Sequence, residues 1–223
     1  MRNPEIDEIQ RALNGELPGR EAHLLMVPPG RPLLLPEERK EDVLRSAVLA
    51  ALILREGSLH FCLTRRSAKL KHHPGQISFP GGRIDTADDG ATGAALRELR
   101  EETGIEAHKV DLLGRLSEVY VPVSNFCITP LVGYINDPDV PFSINTREVD
   151  ELIFLPVSAF LEKRNQIYQP VETTTGRIIV PGYRVKNCWI WGATAMMIAE
   201  FSWLLKQHAD PGEGYSNNAR TDR

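Results

Sequence analysis

A chain of 223 residues and 25.0 kDa is long enough for one well-filled core and leaves little room for a second independent one. Its 42% hydrophobic and 25% charged fractions exclude wholesale disorder, collagen-like and coiled-coil architectures. The formal charge of −4 sets up no global field for a polyanion, so nucleic acid is not an expected partner. Cys62, Cys127 and Cys188 are far apart and outside metal-type spacing, which fits a reducing cytoplasm. The longest apolar run, 47–54, falls far short of the roughly 20 residues that cross a bilayer, and residues 1–20 lack the apolar centre of a signal peptide; no membrane partner is expected.

In chain order, residues 4–14 have helical periodicity, 28–36 read as extended chain and 37–42 as a charge run. Residues 1–45 are therefore assigned to an N-terminal extension packed on a domain spanning 46–207. Strands are expected at 46–54 and 59–64, joined by a turn at Glu56-Gly57. The basic, Pro-Gly-containing stretch 69–75 reads as a loop, and 76–79 as a short strand running into Pro80-Gly81-Gly82. Alanine, leucine, arginine and glutamate make 91–103 a helix, with Gly104 placed to end it. Strands follow at 112–121 and 126–135, a short helix at 157–163, a hairpin over 166–185 turning near Thr175-Gly176, and a helix at 192–207. The polar residues 208–223 are expected to be a flexible tail. Mixed strands with a few helices imply a sheet sandwiched between helices.

The informative segment is Arg97-Glu98-Leu99-Arg100-Glu101-Glu102-Thr103-Gly104-Ile105. With Glu98 at zero, a helix of about 100° per residue puts Glu101 near −60° and Glu102 near +40°, so three carboxylates share one face. Like charges so spaced repel, and a positive partner must offset them. One solution is a hard divalent cation, Mg²⁺ or Mn²⁺, bridging carboxylates to substrate phosphates. The other is a solvated acidic face partnered by Arg97 and Arg100. The upstream Phe79-Pro80-Gly81-Gly82 favours the first, because glycines let backbone carbonyls and amides approach a metal or phosphate closely.

These residues resemble the box of the Nudix hydrolase family, G-x5-E-x7-R-E-U-x-E-E-x-G-U with U aliphatic. Arg97 through Ile105 match its second half completely. In the first half Gly82 precedes Arg97 by 15 positions where the box has 14, and the family glutamate falls on Asp88 or Asp89. The preceding segment resembles the coenzyme A pyrophosphatase signature L-L-T-x-R-S/A-x3-R-x3-G-x3-F-P-G-G: Thr64, Arg66, Ser67, Gly75 and the Phe79 to Gly82 run match, Cys62 replaces a leucine, and Lys71 replaces an arginine.

The resemblance implies an α/β/α sandwich with a mixed sheet, Mg²⁺ or Mn²⁺ as cofactor, and a small nucleotide partner. The implied reaction cleaves a nucleoside diphosphate-linked substrate, foremost coenzyme A or its derivatives, to 3′,5′-ADP and (acyl-)phosphopantetheine. The alternatives are ADP-ribose or another dinucleotide, and a non-catalytic Nudix-like regulator; the latter is expected to lose carboxylates, whereas Glu98, Glu101 and Glu102 are all present. On this reading Glu98, Glu102, Glu101 and the Gly81 backbone hold metal, while Arg66, Lys71 and Gly82 bind substrate. Arg97 orients the acids, and Glu101 or Glu148 serves in catalysis. Glu148 belongs to an acidic cluster with Asp150 and Glu151, equally readable as a surface loop. His72-His73 read as loop histidines and Arg65 as solvated. Met196, Met197, the tryptophans 189, 191 and 203, and the cysteines read as buried.

Overall fold

The computed structural model describes residues 3–30, 32, 33, 42–70, 73–173 and 176–209. Successive strand residues face opposite ways, so the nearly continuous apolar run of β1 (Leu44–Arg55) feeds two cores: Ala47, Leu49, Ala51 and Ile53 one, Ala50 and Leu52 the other. Glu56 and Gly57, both at positive φ (51° and 75°), close a two-residue turn into β2 (Ser58–Arg66), with Arg55 opposite Ser58 and Ala51 opposite Cys62. Beyond that pairing each strand acquires a short neighbour. β3 (Ile77–Ser78) pairs with the end of β2, and β4 (Gly81–Arg83) pairs antiparallel with the start of β1.

On its other edge β1 runs parallel to β7 (Phe126–Ile135), which carries β5 (Val110–Arg115) and β6 (Val119–Val121) antiparallel on its far side. β8 (Val149–Pro156) pairs with β2, completing a mixed eight-stranded sheet. β9 (Gln166–Thr173), β10 (Gly176–Val185) and β11 (Cys188–Trp191) form a second, antiparallel sheet.

Helices cover both faces of the main sheet. Ala94, Ala95 and Leu99 of helix α3 (Gly90–Thr103) pack on the core of Ala47, Leu49 and Cys62. The opposite core joins α1 (Pro4–Leu13) and α4 (Gly192–Ala209) to the sheet, with Phe61 meeting Phe79, Phe160 and Phe201 edge-to-face at 5.2, 5.6 and 5.2 Å. This is an α/β/α sandwich.

The amino-terminal segment belongs to that second layer. Asn3 caps α1 by accepting the Glu5 N–H at 3.0 Å, and Ile6, Ile9, Ala12 and Leu13 are buried. After α2 (Arg20–Leu24), Glu200 of α4 ties the segment down: fully buried, it accepts hydrogen bonds from Gly19 N–H (3.1 Å), His23 Nε2 (3.0 Å) and the Ser117 hydroxyl (2.6 Å). Its buried charge is thereby satisfied.

Several elements depart from the sequence expectations. The strand expected over 112–121 is two strands, because the chain breaks pairing between Arg115 and Val119. The expected helix at 157–163 is a pair of 3-10 turns, Val157–Leu161 and Lys163–Asn165. α2, β8 and β11 were not anticipated, and the end of the acidic cluster lies within β8. His208 and Ala209 continue α4 rather than starting the tail. Most of 28–42, Lys71, His72, Thr175 and 210–223 lie outside the described residues.

Gly104 ends α3 at φ 78°, donating its N–H to the Arg100 carbonyl at 2.8 Å, and a Cβ there would meet Ser143 Cβ at 2.9 Å. Gly104→Ala is expected to cost about 1–2 kcal/mol, seen as a fall of several degrees in a thermal melt; an unchanged Tm would contradict this account of the cap.

Candidate functional site

Gly81 and Gly82 are strand residues rather than a loop: Gly81 lies opposite Val48 and Gly82 opposite Ala47. Neither has positive φ, so glycine is required for space. A Cβ on Gly81 would strike the Ala47 carbonyl and Val48, and one on Gly82 would run into the Glu98 carboxylate. The absence of two side chains lets α3 lay an acid directly against the backbone of β4.

On α3, Arg97 gathers the acids. Its Nε donates to Asp88 Oδ1 at 2.8 Å and its Nη2 to Asp88 Oδ2 at 3.0 Å and to the Arg83 carbonyl at 3.0 Å; Nη1 reaches Glu98 Oε1 at 2.8 Å and Glu101 Oε2 at 3.2 Å. The guanidinium beside Asp88 holds that carboxyl down to about 2, helped by the Asp85 N–H. Of the two acids open to the family position, Asp88 is thus the one on Arg97, whereas Asp89 sits at the amino end of α3 without a side-chain cap bond. Arg100, the other candidate partner for the acidic face, lies exposed in the last turn of α3.

Glu102 stands differently. It is 3% exposed, and its carboxylate accepts a hydrogen bond from the Thr64 hydroxyl at 3.2 Å. Burial pushes the carboxyl up to about 8, with Glu98 and Glu148 adding repulsion while Arg66 and Thr64 oppose the shift. Burial also raises Glu98 above the ordinary range, against the pull of Arg97. Glu148 is exposed and near enough for its charge to raise both. Arg66, at the end of β2, has a buried Nε without a hydrogen-bond partner among the described residues.

The structure therefore brings together Glu98, Glu102, Gly82, Arg66 and Glu148, with Glu101 turned onto Arg97 at the exposed rim and Gly81 one residue away in β4. Lys71 lies outside the described residues. Among those residues no three His, Cys, Asp or Glu side chains already converge as a metal cluster. The donors are nonetheless all oxygen, crowded and short of positive charge, which suits a hard cation such as Mg²⁺ that takes one or two carboxylates and keeps water or phosphate on its other positions. Sequence reasoning missed Thr64 as the partner of Glu102, since its place opposite α3 follows from strand pairing. It also treated Met196 and Met197 alike, whereas Met197 is buried and Met196 is half-buried against the core.

A family model described as NUDIX domain matches residues 43–173, more than half of the chain. The chain is 39% identical over 131 residues to the peroxisomal coenzyme A diphosphatase NUDT7 of Mus musculus, covering 59% of this chain and 54% of that protein, so it spans about half the length of that relative. It is 35% identical over 176 residues to the uncharacterized Nudix hydrolase NudL of Enterobacter sp. (strain 638), covering 76% of this chain and 88% of that one. A MutT/nudix family protein from Enterococcus faecalis has the same fold, with a TM-score of 0.51 at 15% identity over 78% of this chain and 65% of that one.

The raised Glu102 has a consequence for stability. Between the unfolded value near 4.5 and the folded value of about 8, the folded chain binds more protons than the unfolded one, so without metal the stability falls as pH rises through that window. Glu102→Gln removes the penalty. Melts of the metal-free proteins should coincide at and below about pH 4.5, diverge in favour of the variant as pH rises from there, and differ most from about pH 8 upward; a variant no more stable than wild type at high pH would contradict the burial of this charge.

Proposed function

This chain belongs to the Nudix hydrolase family, and from that premise we propose that it cleaves the diphosphate of coenzyme A or its derivatives, giving 3′,5′-ADP and (acyl-)phosphopantetheine. The observation that carries the reading is the meeting of a buried carboxylate, Glu102, and a half-buried one, Glu98, with the Gly81-Gly82 backbone and an arginine whose buried Nε has no hydrogen-bond partner among the described residues. Acids select a divalent cation and the arginine an anion; a diphosphate with its metal satisfies both. The subgroup rests on the matched Thr64, Arg66, Ser67, Gly75 and Phe79-Pro80-Gly81-Gly82, and the name of the mouse relative points the same way.

In this reading Glu98 and Glu102 hold Mg²⁺ or Mn²⁺, with Glu101 and the Gly81 backbone as further oxygen donors. The cation, when bound, neutralises charge that builds on the phosphate oxygens in the transition state. The protein does the remaining work. Arg97 fixes Glu98 and Glu101 through Nη1 while bracing against Asp88, a positioning task that a lysine cannot copy with one ammonium. Arg66 binds a substrate phosphate, Lys71 a further one, and Gly82 leaves the room that Glu98 takes up against β4, which keeps that carboxylate beside the substrate diphosphate. Glu148, drawn neither to Arg97 nor to Thr64, takes the proton from the attacking water as that water's oxygen bonds phosphorus and the phosphoanhydride oxygen leaves. The buried thiols of Cys62, Cys127 and Cys188 accord with a cytoplasmic site of action.

Purified protein with Mg²⁺ or Mn²⁺ should hydrolyse coenzyme A faster than ADP-ribose, releasing 3′,5′-ADP identified by mass. Glu98→Gln should lower kcat by about 10²-fold or more with the fold intact. Faster cleavage of ADP-ribose would overturn the substrate, and near-normal turnover by the Gln variant would overturn the carboxylate's role.

A further inference from the structure

β2 and β8 pair residue for residue from His60 opposite Pro156 to Arg65 opposite Glu151, except that the next rung slips: Arg66 lies opposite Val149, leaving Asp150 as an extra residue on β8. Such a bulge re-aims the extra side chain. Here the Asp150 carboxylate accepts the Ala68 N–H at 2.9 Å and the Ser67 hydroxyl, and these bonds hold its carboxyl below the usual range. The turn that follows Arg66 is tied from further directions. Ser67 is fully buried, its N–H donates to the Glu148 carbonyl at 2.8 Å, and its own carbonyl accepts the Leu70 N–H at 3.1 Å. Arg66 is fixed through its backbone, donating to Gln76 O at 2.9 Å and accepting from Gly75 N–H at 3.0 Å.

The neighbouring rung shows what an ordinary pairing provides. Arg65 Nε meets Glu151 Oε2 at 2.9 Å, side chain to side chain near the surface, an interaction of small worth. Asp150 instead bonds to the chain that leaves Arg66, one residue beyond Ser67, whose backbone in turn holds Glu148. A single bulged acid thus joins the chain segments that carry the arginine and Glu148.

We propose that Asp150 is a positioning residue: its bulge clamps the turn at 67–70 so that the Arg66 guanidinium stays aimed at substrate phosphate beside Glu102. The inference rests on the diphosphate-cleaving function set out above. It differs from that function in assigning work to an acid that touches neither substrate nor metal. Because Arg66 grips a phosphate present in both ground and transition states, loosening it raises KM more than it lowers kcat.

The test uses the full chain with metal, carrying Asp150→Ala or Asp150→Asn, with coenzyme A as substrate and hydrogen exchange read across 67–70. Ala should raise KM by about tenfold with kcat within about twofold, and should speed exchange of that turn. Asn, whose Oδ1 still accepts from Ala68, should restore most of both. Unchanged KM in the Ala variant, equal loss in the Asn variant, or a fall in kcat alone would overturn the clamp. If wild type cleaves no coenzyme A, the substrate reading fails separately. The exchange arm then decides: protection lost in Ala and kept in Asn supports the clamp, and unchanged protection overturns it.

Discussion

One guanidinium sustains the crowding of acids on which this architecture turns. Arg97 reaches Asp88 with two nitrogens, Glu98 and Glu101 with the third, and the Arg83 carbonyl besides. It therefore joins the chain leaving β4 to the helix that packs over it. Without it, Glu98 would be pressed against the Gly82 backbone as an uncompensated, largely buried charge, a far more costly arrangement than a paired one. Glu102 lies beyond its reach and is left with a threonine hydroxyl and the field of Arg66. On the proposed function, that imbalance is what a bound cation would offset.

The rest of the fold serves to hold these groups still. β1 is covered on both faces, so β4 and β2, which carry Gly82, Thr64 and Arg66, are anchored on a strand that feeds both cores. α3 closes on that strand through Ala94 and Ala95, whose small side chains permit a tight approach. The opposite layer has its own polar anchor in Glu200, whose hydrogen bonds to Gly19, His23 and Ser117 make the segment before β1 part of the packed structure. Groups mounted on rigid elements keep the fixed geometry that phosphoryl transfer demands.

Much of this was legible in the sequence wherever the signal was local. The helix carrying Glu98, Glu101 and Glu102, its stop at Gly104 and the β1–β2 hairpin follow from propensity, periodicity and a two-residue turn. What was not legible depends on pairing between distant segments. Gly81 and Gly82 read as a loop because glycine signals turns, yet they are strand residues, kept small by Val48 and Glu98. β8 was hidden because its second and third residues are acidic and its partner, β2, lies about ninety positions earlier. The same separation concealed the bulge at Asp150, whose carboxylate meets the Ala68 amide, while the choice of Asp88 over Asp89 depends on which of two adjacent acids the turn before α3 lays on Arg97.

The central claim is that Glu98, laid against the Gly82 backbone of β4, and Glu102, buried beside Thr64 of β2, form a platform for a divalent ion. Titrating Mn²⁺ into the substrate-free protein and following the free-ion signal by electron paramagnetic resonance tests it directly. The account predicts saturable binding by wild type that weakens at least about tenfold in Glu102→Gln, since the loss of a charged oxygen donor cannot be made good by an amide. Binding by that variant as tight as wild type would contradict it.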